Sequence, residues 1–390
     1  MKFKTRGARL AGLLVPALAL AAPAFAQVRD TRLSDATEPG SVIVFPKFIN
    51  GSAYIVPESV PAPATELEIG VVCPKGVTCA EHQPVKIRFH WVCGTTEANL
   101  AGSFICQETD FDVTATVFEK IVLVPDGTPQ NGYASGLPTK TVPAAPCAGG
   151  YLIGWVITPT SDTPIKFDGL IGDAVMRPGS TTTGSPTAQA GYNAIPIQAD
   201  PNLVNGAAVT TNAKGALMFD GAAGHYQAVT GQVLGDMRYT NLTTGPTFTL
   251  GALTLLTLDV KSNRPNNPVF VDLDFFGGNP SAIGNENQLS TSTEFICWEE
   301  IPITSINPNL TTTVMGRKGV FVSAPATKVG IFGIQDETGP TTLLGLAETL
   351  EGGVFPPVAP WPRASFSNLF NSSVPVPTRF LPAPSSIFLP

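Results

Sequence analysis

Histidine occurs only three times in 390 residues, at His82, His90 and His225, and charged side chains make up 14% of the chain. The first shortage removes the side chain most often used as a base beside a nucleophile, and no two of the three stand at zinc-ligand spacing. No G-x-S-x-G, H-E-x-x-H, P-loop or dinucleotide fingerprint is present. Runs of like charge are missing too, while Val, Ile, Leu and Phe are plentiful, which excludes disorder driven by charge. Glycine shows no three-residue period, so a collagen triple helix is excluded. Past residue 26 no stretch reaches the ~18 uninterrupted apolar residues of a spanning helix. What the chain has instead is 38 Gly and 37 Pro, enough to break any long helical period. The composition therefore predicts a large β-rich globular protein.

Residues 1–26 read as a secretory signal: a basic start (Lys2, Lys4, Arg6, Arg9), an apolar stretch from Leu10 to Ala22, and the small-residue end Ala24-Phe25-Ala26 before Gln27. The apolar stretch is too short to span and contains Pro16. Losing the leader's four basic residues takes the net charge from −7 to −11. Such a surface repels phosphate backbones and anionic lipid heads, which argues against nucleic acid as a partner.

Six cysteines follow the leader: Cys73, Cys79, Cys93, Cys106, Cys147 and Cys297. An even number in an exported chain predicts disulfides, with 15 pairings open. Loop closure favours Cys73 with Cys79 and Cys93 with Cys106, leaving Cys147 for Cys297.

Strands are expected where β-branched and aromatic residues alternate between Gly, Pro, Asn and Asp: Ser41–Phe48, Glu66–Cys73, Val85–Cys93, Phe111–Val124, Tyr151–Thr158, Ile165–Val175, Leu253–Val260, Val269–Phe276, Glu294–Ile303, Gly319–Ser323 and Lys328–Ile334. Thr341–Leu350 is read as a short helix. Many strands without alternating helices predict an all-β protein of antiparallel, jelly-roll-like sandwiches. A self-comparison adds an internal repeat. Pro84–Trp91 lines up with Pro268–Phe275 at an offset of 184, and Ile87, Phe89 and Trp91 fall on Val271, Leu273 and Phe275, so the strand's inward face keeps its phase. The expected organisation is a signal peptide (1–26), an N-terminal extension (27–39), a first β-sandwich (40–178), a connector (179–224), a related second sandwich (225–352) and a Pro-rich extended tail (353–390). Proline withholds a ladder donor, so the tail is expected to supply no central strand, and to lie as a strap over the sandwich or to dock a partner.

The best chemical candidate is Glu108-Thr109-Asp110-Phe111-Asp112. On a strand Glu108, Asp110 and Asp112 share one face at ~7 Å spacing. Two carboxylates on one face can divide the acid and nucleophile roles of a retaining glycosidase, and three can hold Ca²⁺. The run resembles the E-x-D-x-E strand motif of laminarinase-like jelly-roll glycosidases, with Asp112 standing where the motif has its last Glu. It lacks the Trp-rich flanks of a sugar cleft. His82 falls in a turn, His225 in a loop, and His90, out of phase with Phe89 and Trp91, is expected to face solvent; Trp91 and Trp155 are expected in the core.

The function expected from these features is that of an exported, non-enzymatic β-sandwich protein, structural, adhesive or binding, in the bacterial envelope or the extracellular space. Its expected partners are other envelope or surface proteins, a second copy, or glycans. The alternative is a glycan-binding or glycan-hydrolysing jelly roll built on Glu108, Asp110 and Asp112, with Ca²⁺ as the only cofactor the residues suggest.

Overall fold

A computed structural model describes residues 37–50, 64–98, 103–127, 140–177, 190–229, 231–239, 247–260, 265–266, 268–277, 289–302, 316–323, 342–353, 363–371 and 386–387. The leader and the expected strand Lys328–Ile334 lie outside them. All secondary structure among the described residues is strand and turn, in antiparallel sheets. No helix among them is long and apolar enough to cross a membrane.

The first sandwich uses β1 (Val42–Ile49), β2 (Ala64–Val71), β3 (Pro84–Ala98), β4 (Ser103–Thr116), β5 (Lys120–Leu123), β6 (Gly149–Ile157), β7 (Leu170–Arg177) and β8 (Ala190–Asn193). The next pieces are β9 (Ile195–Ile197) and β10 (Leu217–Met218). The second sandwich comprises β11 (Gln232–Tyr239), β12 (Thr247–Leu256), β14 (Val269–Gly277), β15 (Leu289–Phe295), β16 (Trp298–Pro302), β17 (Gly316–Ser323), β18 (Leu344–Gly353) and β19 (Arg363–Asn371); β13 (Pro265–Asn266), between β12 and β14 in the chain, pairs with β4 of the first sandwich, and β20 (Ser386–Ile387) ends the series.

Strand order in the larger sheet of the first sandwich is β13-β4-β3-β6-β1-β9, and in the smaller β5-β2-β7-β8. Between them lies a core of Ile43, Phe45, Leu67, Ile87, Phe89, Trp91 and Leu152. These are the alternate residues of each strand, as a period of two requires. The second sandwich is one eight-stranded sheet, β15-β14-β17-β11-β19-β18-β12-β16. Its two ends, β15 and β16, are consecutive in the chain and separated only by Ile296-Cys297, so the sheet folds over on itself. Its halves β15-β14-β17-β11 and β16-β12-β18-β19 repeat the order of β4-β3-β6-β1 and β5-β2-β7-β8, strand for strand in the sequence. The register is not identical. Phe111 lies across from Phe89, whereas Phe295, which matches Phe111 at the same offset of 184, lies across from Val269 rather than Leu273, a slide of four residues. An even slide leaves every side chain on its original face.

Four expectations change. Phe111–Val124 and Glu294–Ile303 are each two strands, broken at Phe118 (φ 70°) and at Cys297 (φ 59°), both in the left-handed region. Within the expected helix Thr341–Leu350, the residues from Leu344 on are strand, because β18 is held between β12 and β19, and that pairing overrides local helix propensity. The tail does supply an interior strand: β19 pairs with β18 and β11. Its residues lie between Pro362 and Pro375 and contain no proline, so every ladder donor is intact. Farther along, β20 pairs with β10 and straps the chain's end onto the connector.

The larger sheet of the first sandwich is covered on both faces. Its second face, carrying Val42, Val44, Tyr151, Ile153 and Trp155, packs against Leu217 and Phe219 of the connector, Tyr226 just after it, and Leu256, Leu258 and Ile296 of the second sandwich. Polar ties cross the same junction. Lys47, 2% exposed, places Nζ 2.9 Å from Glu300 Oε2 and 2.6 Å from Glu348 Oε2. Trp298 Nε1 donates to the Pro46 carbonyl at 2.8 Å, and its ring occupies space that a side chain on Gly94 or Gly149 would fill.

All six cysteines are paired, as Cys73–Cys79, Cys93–Cys147 and Cys106–Cys297. The expected pairs Cys93–Cys106 and Cys147–Cys297 are therefore not formed. A β-bulge between Val92 and Thr95 interrupts the β3–β4 ladder there. Cys93 lies across from Gly150 on β6 and bonds Cys147, just before that strand. Cys106 is on the opposite sheet face, in the core shared with the second sandwich, and meets Cys297 there.

Candidate functional site

The β3–β4 pair brings the candidate carboxylates against basic residues of the neighbouring strand. Arg88 is opposite Asp112, His90 opposite Asp110, and Val92 opposite Glu108. Lys86, Arg88 and His90 thus share one face with Glu108, Asp110 and Asp112, on the second, partly covered side of the sheet.

The three carboxylates have three different fates. Asp112 receives Arg88 Nε at 2.9 Å on Oδ1 and Lys86 Nζ at 2.9 Å on Oδ2, and both cations also reach Asp162. Burial alone would raise the Asp112 carboxyl, but the hydrogen bonds from Arg88 and then Lys86 outweigh it and hold it below the ordinary carboxylate range. Glu108 is buried, its side chain 1% exposed, with Oε1 against His90 Nδ1. Asp110 is exposed and carries no cation of its own among the described residues.

His90 does not face solvent. It is fully buried and stacks on Trp155 with ring centroids 4.6 Å apart. Its phase on β3 is as the sequence indicates, but the face it points to is covered by the connector and the second sandwich. Burial first, and the Arg88 cation second, push the imidazole pKa down to about 3. His90 Nε2 and Glu108 Oε2 have no hydrogen-bond partner among the described residues. Each such buried orphan costs about 1–3 kcal/mol.

This geometry does not supply the pair of free acids on an open face that the glycosidase alternative requires. Asp112 is neutralised by two cations and Glu108 is withdrawn from solvent beside an imidazole. The three expected carboxylates do not converge, since Asp112 points its oxygens at Arg88 and Lys86. What comes together is His90, Glu108 and Asp110, whose potential ligand atoms all lie within 4.8 Å of one another. The opposition of His90 to Asp110 was not visible in the sequence, because it needs the β3–β4 register; the even spacing of Glu108 and Asp110 was.

The remaining histidines form no nucleophilic constellation among the described residues. His82 is exposed in a turn, next to Glu81. His225 Nδ1 is 2.7 Å from Asp220 Oδ1, with no hydroxyl or thiol bonded to its ring. Trp91 and Trp155 are both buried as expected, in two different cores on opposite faces of the sheet. No protein-family model matches the chain, and no curated protein is significantly similar to it.

Proposed function

We propose that this chain is an exported β-sandwich protein that works without catalysis, as a structural, adhesive or binding component of the bacterial envelope or the extracellular space. The carrying observation is the disulfide set. Every cysteine is paired, and Cys106–Cys297 ties β4 to the β15–β16 turn, 191 residues apart, across the junction of the two sandwiches. Bonds of this kind form and persist in oxidising compartments. The spending of Glu108 and Asp112 on internal partners supports a non-hydrolytic role. We further infer that the two sandwiches descend from one duplicated unit, which their shared strand order supports. Other envelope proteins, a second copy and glycans are the partner classes that suit such an acidic scaffold.

Expression of the full chain in a Gram-negative host, with fractionation and non-reducing mass spectrometry, tests the proposal. The expected product begins at Gln27, lies outside the cytoplasm and has no free thiol. A cytoplasmic chain with its leader intact and its thiols reduced refutes export. Polysaccharide cleavage that disappears in Glu108→Gln refutes the non-catalytic part.

A further inference from the structure

Within the β3–β4 pair, the two ordinary ways of satisfying a buried carboxylate are both incomplete at Glu108. Its Oε1 meets His90 Nδ1, but Oε2 is buried without a partner. Asp110, acidic as well, lies directly across from His90 and adds negative charge rather than relieving it. Arg88 and Lys86, the cations on this face, are already engaged with Asp112 and Asp162. A buried, orphaned carboxylate oxygen beside an imidazole nitrogen and a second, uncompensated carboxylate is a donor set that lacks positive charge at its centre.

We propose that His90, Glu108 and Asp110 bind a single divalent ion of the zinc class. One imidazole and two carboxylates match the nitrogen and oxygen donors such an ion takes, and two carboxylates balance its charge. Ca²⁺ is the poorer occupant, because it asks for six to eight oxygens and tolerates imidazole badly. Tetrahedral ligation at ~2.0–2.2 Å puts donor atoms roughly 3.3–3.6 Å apart. The potential donor atoms all lie within 4.8 Å of one another, so binding draws Asp110 in and opens the direct His90 Nδ1–Glu108 Oε1 contact to admit the ion. Asp110 is the arm that closes, being exposed and free of an ion pair among the described residues. The Trp155 ring stacked on His90 fixes the imidazole plane from behind. The exposed Asp110 side supplies the entry path, and the fourth coordination position there falls to water.

Calorimetric titration of the exported, oxidised protein, stripped with a chelator, tests this with Zn²⁺ and Ca²⁺ as separate probes. One Zn²⁺ per chain is expected, with a dissociation constant on the order of micromolar or tighter and Zn²⁺ preferred over Ca²⁺. Asp110→Asn, an isosteric change at an exposed position that preserves the fold, should weaken Zn²⁺ by about tenfold or more. Co²⁺ substituted for Zn²⁺ should show the visible bands of a four-coordinate nitrogen and oxygen site. His225→Gln, which removes the other histidine–carboxylate pair, should change nothing. The proposal is overturned if the protein binds no Zn²⁺, if Ca²⁺ is preferred, or if Asp110→Asn leaves Zn²⁺ binding intact, whatever His225→Gln does.

Discussion

Replacing Lys47 by Met probes the junction of the two sandwiches at its most costly point. Lys47 is a cation with a 3% exposed side chain, facing one deeply buried carboxylate, Glu348 (7% exposed), and one that reaches solvent, Glu300 (39% exposed). Removing the cation leaves Glu348 charged in a low-dielectric site, a loss of about 3–5 kcal/mol for a broken buried pair. Glu300 stays hydrated and contributes no more than about 1 kcal/mol. The penalty must depend on pH. Burial already raises the Glu348 carboxyl above its ordinary 4.5, with Lys47 acting in the opposite direction. Without Lys47 the folded value rises further above the unfolded one, so the folded state binds the extra proton as pH falls. Lys47→Met should therefore regain stability relative to the parent between about pH 8 and pH 5. Leu at position 348 in the same background, removing the stranded carboxylate, should recover most of the loss. Urea unfolding with the disulfides intact, followed by the fluorescence of Trp298 and the other tryptophans, reads all three proteins. A loss in Lys47→Met below about 1 kcal/mol, or one equal at both pH values, would refute the reasoning.

Further outcomes follow from the same packing. Serine at both Cys106 and Cys297 should cost up to about 5 kcal/mol by chain entropy over 191 residues, against about 2 kcal/mol for Cys73 and Cys79 over six; urea midpoints of the two double variants give the order. Gly150→Ala would set a Cβ 2.1 Å from the Val92 carbonyl oxygen, which is backbone and has little room to yield, so a loss of about 3 kcal/mol or failure to accumulate soluble protein is expected. Phe118, 70% exposed at φ 70°, holds a conformation bulky residues avoid; Phe118→Asn should stabilise by about 1 kcal/mol, seen as a higher urea midpoint.

Alternation made much of this fold legible before any coordinates. Ser41–Phe48, Val85–Cys93 and Tyr151–Thr158 read as strands because apolar and β-branched residues line up with the pleat, and the structure places Val42–Ile49, Pro84–Ala98 and Gly149–Ile157 there, with the pairing of Phe89 with Phe111 obeying that phase. The breaks at Phe118 and Cys297 were not legible, since neither residue type signals a left-handed turn. His90 shows the limit best. Its phase was plain from Phe89 and Trp91, but whether the other face meets water depends on the connector and on residues near 256 and 296. Of the candidate site, Glu108 and Asp110 could be picked out by spacing. His90 could join them only through a cross-strand register, and Asp112 could be dismissed only by seeing Arg88 and Lys86 at its oxygens.

The sequence by itself determined the all-β class, the strands' inward faces and the capacity for three disulfides, because a period of two and a cysteine count are local properties. Tertiary structure decided which thiols meet, that a Pro-flanked segment near the C-terminus enters the middle of a sheet, and that a histidine on an outward phase is buried. Each of those depends on groups brought together across as much as 191 residues of chain, through the covering of a second sheet face that no local pattern records.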